Sequence, residues 1–217
     1  MNVSAYLRHP LLMLAAVSLA VGFIWYVLGL PVQMPRSPLA AGEKLGCVAY
    51  APADIGAGEP TEIPLARIEA DLAALAAHVS CIRTYRTGAG LDRVVDAAAR
   101  HGLKVLIGVS VGRDMAENRA ELERAVVAAE VQRETIAAIV VGDRPLSQRS
   151  IRQSDLLRMI RELRERTKLP ITSAEFAETW LEADQLAAAV DLILLRVPLY
   201  DALFPPAASA AGGKSAS

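Results

Sequence analysis

The sequence predicts an α/β domain, a parallel sheet packed under helices, carried behind one transmembrane helix. Three observations predict it. From Leu45 onward, short runs of β-branched and aliphatic residues alternate with segments of helical periodicity, and strands apolar on both faces, each followed by a helix, indicate parallel pairing through crossovers. Before them, Pro10 to Pro31 is an uncharged apolar stretch of roughly the 20 residues a helix needs to cross hydrocarbon. A chain of 217 residues, 53% hydrophobic and 22% charged, can bury one good-sized core but is short for two.

In chain order, residues 1–9 are a short tail and residues 10–31 the transmembrane helix, with Trp25 and Tyr26 near its far end, where amphipathic rings favour the headgroup layer. A cleaved signal peptide fits less well, because its apolar region is shorter and ends at a small-x-small site. Arg8 gives a slight charge bias, so the N-terminus is expected in the cytoplasm and the domain outside the cell membrane. Residues 32–44 form a stalk, since the prolines of "PVQMPRSPLAAGEK" sustain neither helix nor sheet. The domain is expected over residues 45–204.

Within it, Leu45–Ala51 reads as the first strand, and Ile68, Leu72 and Leu75 fall on one helix face. Val79–Tyr85 is the second strand. Leu91, Val94, Val95 and Ala98 then form an apolar stripe closed by Gly102, a C-cap residue. "KVLIGVS" is the third strand, followed by a helix turning Leu122, Val126 and Ala129 inward; "IAAIVVG" is the fourth, followed by Leu156, Leu157, Ile160 and Leu163. "PITSA", the helix "LEADQLAAAV" and the strand "DLILLRV" complete about six βα units, whereas a closed (β/α)8 barrel has eight strands. Residues 205–217, mostly Ala, Gly and Ser, have almost nothing to bury and are expected to be disordered.

A formal net charge of -1 lacks the basic footprint that nucleic acid requires. "GVSVG" (Gly108 to Gly112) has the form of a nucleophile elbow, but a triad in that order needs a later histidine, and His9, His78 and His101 all precede Ser110. "TGAGLDR" lacks the third glycine of the dinucleotide fingerprint and reads as a turn. No cofactor is indicated. Cys47 and Cys81 have no histidine at ligand spacing, so no metal site is expected. A disulfide is open to them if their strands are neighbours, but buried free thiols are favoured, because bridging requires a specific Cα separation. His101 before Gly102 reads as a cation at a helix C-terminus, and "RELRERTK" as a solvated face.

What remains gathers at the C-terminal strand ends, where parallel α/β folds place their ligands. Tyr50 follows the first strand, Arg83 and Tyr85 the second, Arg113 and Asp114 the third, Asp143 and Arg144 the fourth, and Glu175, Glu178 and Trp180 the fifth. Aromatic faces beside planar donors and acceptors suit sugar rings, although a cleft rim is polar in any case.

At these residues the chain resembles a family. "CVAYAP", "CIRTY", "ARHGLKVLIGVSVGRD", "NRAELERAV" and "IVVGDRPL" are similar to the membrane-anchored bacterial branch of glycoside hydrolase family 17, the β-1,3-glucanases and glucan-modifying enzymes, from Leu45 to about Tyr200. The resemblance implies an incomplete (β/α)8 TIM-type barrel that binds β-glucan along its strand ends, and a retaining mechanism with two glutamates. Such a mechanism needs an acid and a nucleophilic carboxylate roughly 5 Å apart. Where the family carries its acid, in "GNE", this chain reads Gly142, Asp143, Arg144. A guanidinium offers no exchangeable proton. The family's nucleophile follows a seventh strand, which the chain is not expected to contain.

Further departures agree. "SAEFAETW" puts Ser173 and Ala177 where the family has Tyr and Trp, while Trp180 is retained, and Arg196 stands at a histidine position. Tyr50, Arg83, Tyr85, Arg113 and Asp114 match. No intact catalytic pair is expected; Asp143, Glu175 and Glu178 are candidate substitutes, and Tyr50, Arg83, Tyr85, Arg113, Asp114, Asp143, Trp180 and Arg196 are candidate glucan-binding residues. The expectation is a catalytically inactive membrane-anchored domain that binds β-glucan or supports a glucan synthesis or modification complex. An active endo-β-1,3-glucanase is an alternative, as is an interaction module or homodimer pairing through open sheet edges, or a truncated product without function.

Overall fold

β-Branched runs become strands and striped segments become helices in the structure, a computed structural model that describes residues 3–29, 40, 42–52 and 62–197. The chain divides into two units, residues 1–37 with 198–217 and residues 38–197.

In the first unit, α1 spans Val3–Leu28 with Pro10 inside it, and Leu12, Met13, Phe23, Ile24, Trp25 and Tyr26 are exposed. The structure does not reproduce the transmembrane helix expected over residues 10–31, of which residues 30 and 31 lie outside the described residues: among the described residues no helix is long and apolar enough to cross a membrane. The stalk for the most part, and the tail at 205–217 wholly, lie outside the described residues.

In the second unit the strands are β1 (Leu45–Ala49), β2 (Val79–Arg83), β3 (Lys104–Val109), β4 (Ile136–Asp143), β5 (Ile171–Phe176) and β6 (Leu194–Arg196). The helices are α2 (Leu65–Ala76), α3 (Val94–Arg100), α4 (Met115–Val131), α5 (Gln153–Thr167), α6 (Ala177–Glu182) and α7 (Asp184–Ala189). Every pairing is parallel, and the order of the six strands is β1-β2-β3-β4-β5-β6. A sheet that always adds its next strand on the same side, through right-handed crossovers, keeps its helices on one face and curls. The result is an incomplete TIM-type half-barrel.

Its core lies between sheet and helices. Ile82, Ile107, Ile139 and Ile171 from the strands meet Ile68 and Leu72 of α2, Leu122 of α4 and Leu156, Ile160 and Leu163 of α5, all essentially inaccessible to solvent. Two local expectations change. The helix expected over 181–190 is α6 and α7, broken at Ala183, whose ψ of 61° is not helical. The last strand is three residues long, and Ile193, Leu195 and Val197 are exposed rather than covered, because among the described residues β6 has a strand on one side only.

The cysteines also correct the sequence expectation. Cys47 is exposed and joined to Cys81 by a disulfide. Parallel pairing sets these two residues directly opposite one another, with Cα atoms 4.3 Å apart. Strand register, which composition does not reveal, decided it.

Candidate functional site

Parallel strands end on one rim, and here the rim collects residues far apart in sequence. Arg83 closes β2, Asp143 closes β4 and Arg196 closes β6, with Arg144 one step past β4. Arg83 Nη2 donates to Asp143 Oδ1 at 3.0 Å. On the other carboxylate oxygen, Arg144 Nε stands at 3.7 Å and Arg196 Nη1 at 3.8 Å, ion-pair distances too long for hydrogen bonds. One carboxylate therefore faces three guanidiniums. Arg83 lies over the Tyr85 ring, 4.8 Å from its centroid, and Arg144 over Phe176 at 5.7 Å.

The turn that delivers Arg144 is backbone-determined. Gly142 and Arg144 take left-handed φ values of 81° and 61°, and a Cβ on Gly142 would come within 2.7 Å of Val111 and Pro145 side-chain atoms. Glycine is the residue that adopts this conformation at no steric cost. The Arg144 N–H donates to the Ala174 carbonyl at 2.7 Å, which fixes the turn against β5.

Buried polar side chains hold the neighbouring loops. Glu175 is fully buried and accepts the Leu146 N–H at 2.6 Å on one oxygen and the Ser147 hydroxyl at 2.9 Å on the other. Glu121 of α4 accepts N–H bonds from Thr87 (2.8 Å), Gly88 (2.7 Å) and Ser110 (3.0 Å), and one from Arg124 at 2.8 Å. Burial raises the Glu121 pKa, but the bonds from Thr87, Ser110, Arg124 and Gly88 outweigh it, and the carboxyl sits below its ordinary value. Asn118 clamps Gly112 through both its amide atoms, at 2.7 and 2.8 Å.

The remaining candidates divide between rim and scaffold. Tyr50 is buried and its hydroxyl donates to Asp71 Oδ2 of α2 at 3.0 Å; burial first, and then the bond to Asp71, push the phenol well above its ordinary pKa. With Tyr85, Arg86, Ile63 and Leu91 it lines a cavity of about 200 Å³. Asp114 caps α4 by accepting from the Ala116 and Glu117 N–H groups, and Trp180 is buried with its indole N–H donating to the Leu194 carbonyl at 3.3 Å. Glu178 is exposed in the first turn of α6. Arg113, exposed, lines a cleft of about 510 Å³ with Met115, Arg149 and Arg152. Among the described residues no three His, Cys, Asp or Glu side chains group as a metal site.

A half-barrel with its polar residues gathered on the strand-end rim is the setting in which residues 47–211 match the BtgE/BtgC glycoside hydrolase domain. The chain belongs to that family. The BtgE/BtgC domain is also similar in fold to a glycoside hydrolase family 17 β-1,3-glucanosyltransferase from Rhizomucor miehei, and to an active-site mutant of that enzyme in complex with laminaritriose. In each case the TM-score is 0.60 at 13% identity, with 70% of this chain covered. The chain spans 57% of the length of those two structures. At that identity the likeness establishes the fold. No curated protein is significantly similar in sequence.

Of the candidate residues, the BtgE/BtgC domain brings Arg83, Tyr85, Asp143, Arg144 and Arg196 together, and gives Glu175, Asp114 and Trp180 structural partners. Sequence reasoning missed Glu121 and Asn118. A signal was present: both are polar residues on the same stretch of α4 as Leu122, Ala125 and Val126, and all five are buried.

Proposed function

We propose that this domain is a relative of the bacterial branch of glycoside hydrolase family 17, attached by α1 to the cell membrane with the domain on its outer side, and that it binds β-glucan or supports a glucan-handling complex without hydrolysing the polymer. The observation that carries this reading is the surroundings of Asp143. Retaining hydrolysis needs two carboxyl groups roughly 5 Å apart, one of which hands a proton to the leaving oxygen. Here the rim carboxylate is bonded to Arg83 and flanked by Arg144 and Arg196, while both oxygens of Glu175 are engaged by the loop after β4. Arg144, at the place of the acid in the resembled family, has no exchangeable proton to give.

Glucan binding is supported by the cavity beside Tyr50 and Tyr85, which offers the apolar wall and polar rim that sugar rings use. Attachment to a membrane is supported by the exposed apolar side chains of α1, since contiguous apolar surface of this kind is costly in water.

The test uses the full chain in a neutral detergent with laminarin. The expected result is binding with no release of reducing ends, and Arg144→Glu is expected not to create turnover. Sustained release that stops on Asp143→Asn defeats the inactive reading, and absence of laminarin binding defeats the glucan reading. In cells the chain is expected to sediment with membranes after alkaline extraction.

A further inference from the structure

We propose that the strand-end rim binds a saccharide bearing an anionic group, a carboxylate or a phosphate, with Arg144 and Arg196 as its principal contacts. The proposal deepens, and rests on, the reading of this rim as a glycan site. Charge is the first argument. Three guanidiniums converge on Asp143, so the cluster carries two positive charges beyond what its single carboxylate neutralises.

Unmet hydrogen-bonding capacity is the second. The Nε atoms of both Arg83 and Arg144 are buried without a hydrogen-bond partner among the described residues. Arg144 and Arg196 approach Asp143 only at 3.7 and 3.8 Å. Buried donors are normally satisfied, and a planar fork with free N–H groups matches the paired oxygens of a carboxylate or phosphate. The Arg side chains remain 28% and 31% accessible at positions 144 and 196, enough for a ligand to reach them.

The aromatic rings supply the third argument. Tyr85 and Phe176 border the cluster, and each lies under a guanidinium. The stack holds each guanidinium flat beside its ring. Further along the same side of the sheet, Arg113 after β3 and Arg149 and Arg152 before α5 line the cleft of about 510 Å³. Among the described residues none of those three makes a side-chain hydrogen bond or ion pair within the domain. Asp155, the acidic residue lining that cleft, is paired with Arg158. The positive charge thus extends beyond one pocket, as a repeating anionic ligand would require.

Calorimetric titration of the full chain in neutral detergent, with glucose, glucuronate, glucose 6-phosphate and laminaritriose as probes, tests this. Glucuronate or glucose 6-phosphate is expected to bind at least about tenfold more tightly than glucose, and the stronger of the two identifies carboxylate or phosphate as the group recognised. The Arg144→Gln/Arg196→Gln variant is expected to lose that preference. Raising the ionic strength of the unmodified chain from about 0.05 to about 0.5 M, where screening is strong, is expected to weaken the anionic probes selectively, a readout that does not depend on any variant folding. Equal affinity for glucose and both anions, with laminaritriose still bound, overturns this proposal and leaves the glucan reading standing. An anionic preference that survives the double substitution or high salt also overturns it. Failure of all four probes removes both readings.

Discussion

Asp143 and Glu121 are both carboxylates surrounded by donors, and their difference in setting decides their tasks. Asp143 sits on an accessible rim, where its partners keep unfilled donors. Glu121 is buried and accepts three backbone N–H groups and one guanidinium, so it fastens the loops after β2 and β3 to α4. Replacing it with glutamine removes the charge and turns one acceptor into a donor facing N–H groups. Glu121→Gln is expected to destabilise the domain by about 2–3 kcal/mol at neutral pH, the scale of charged hydrogen bonds, as read by denaturant unfolding. The pH dependence follows from the lowered folded pKa. A group with a depressed folded pKa contributes its full stability above the unfolded value and loses it as pH falls through the folded value. The parent and the variant should therefore converge in stability toward acid pH; a constant difference would show that the carboxylate is not the source.

At the scale of elements, the G-x-S-x-G string acquires a packing explanation. β3 crosses the end of β2 so closely that a Cβ on Gly108 would collide with the Thr84 carbonyl and lie 2.6 Å from Tyr85 Cα. Those are backbone atoms and cannot turn aside. The same contact is fixed by the Gly108 N–H donating to Thr84 Oγ1 at 2.9 Å. Gly108→Ala is expected to cost about 1–3 kcal/mol by overpacking, visible as a lower melting temperature, and to disturb Tyr85 on the rim. Gly112, in the same string, has open space where its Cβ would be, so alanine there should leave the melting temperature nearly unchanged. Equal effects at the two positions would contradict this account.

For the whole domain, the Cys47–Cys81 bond ties the edge strand β1 to β2 across 34 residues of chain. The segment it closes contains α2. Chain-entropy arguments for a loop of this length give a stabilisation of about 3–4 kcal/mol. Reduction of the full chain is therefore expected to lower its unfolding midpoint in denaturant, and Cys47→Ser to reproduce that loss in oxidising conditions. An unchanged midpoint would place the stability of β1 elsewhere, in its packing against β2.

The sequence alone determined the order of strands and helices, the core faces of α2, α4 and α5, and the arginine that follows "GD" at the end of β4. Those are properties of neighbours in the chain: burial on one face or two writes its period directly into the residues. Tertiary structure alone decided which side chains meet. Arg83 reaches Asp143 across 60 residues, Cys47 meets Cys81 because the register sets them opposite one another, and Glu175 turns inward to a loop instead of toward the rim. Strand order, register and curl are non-local, and a one-residue change of register would have sent each of these side chains to the other face.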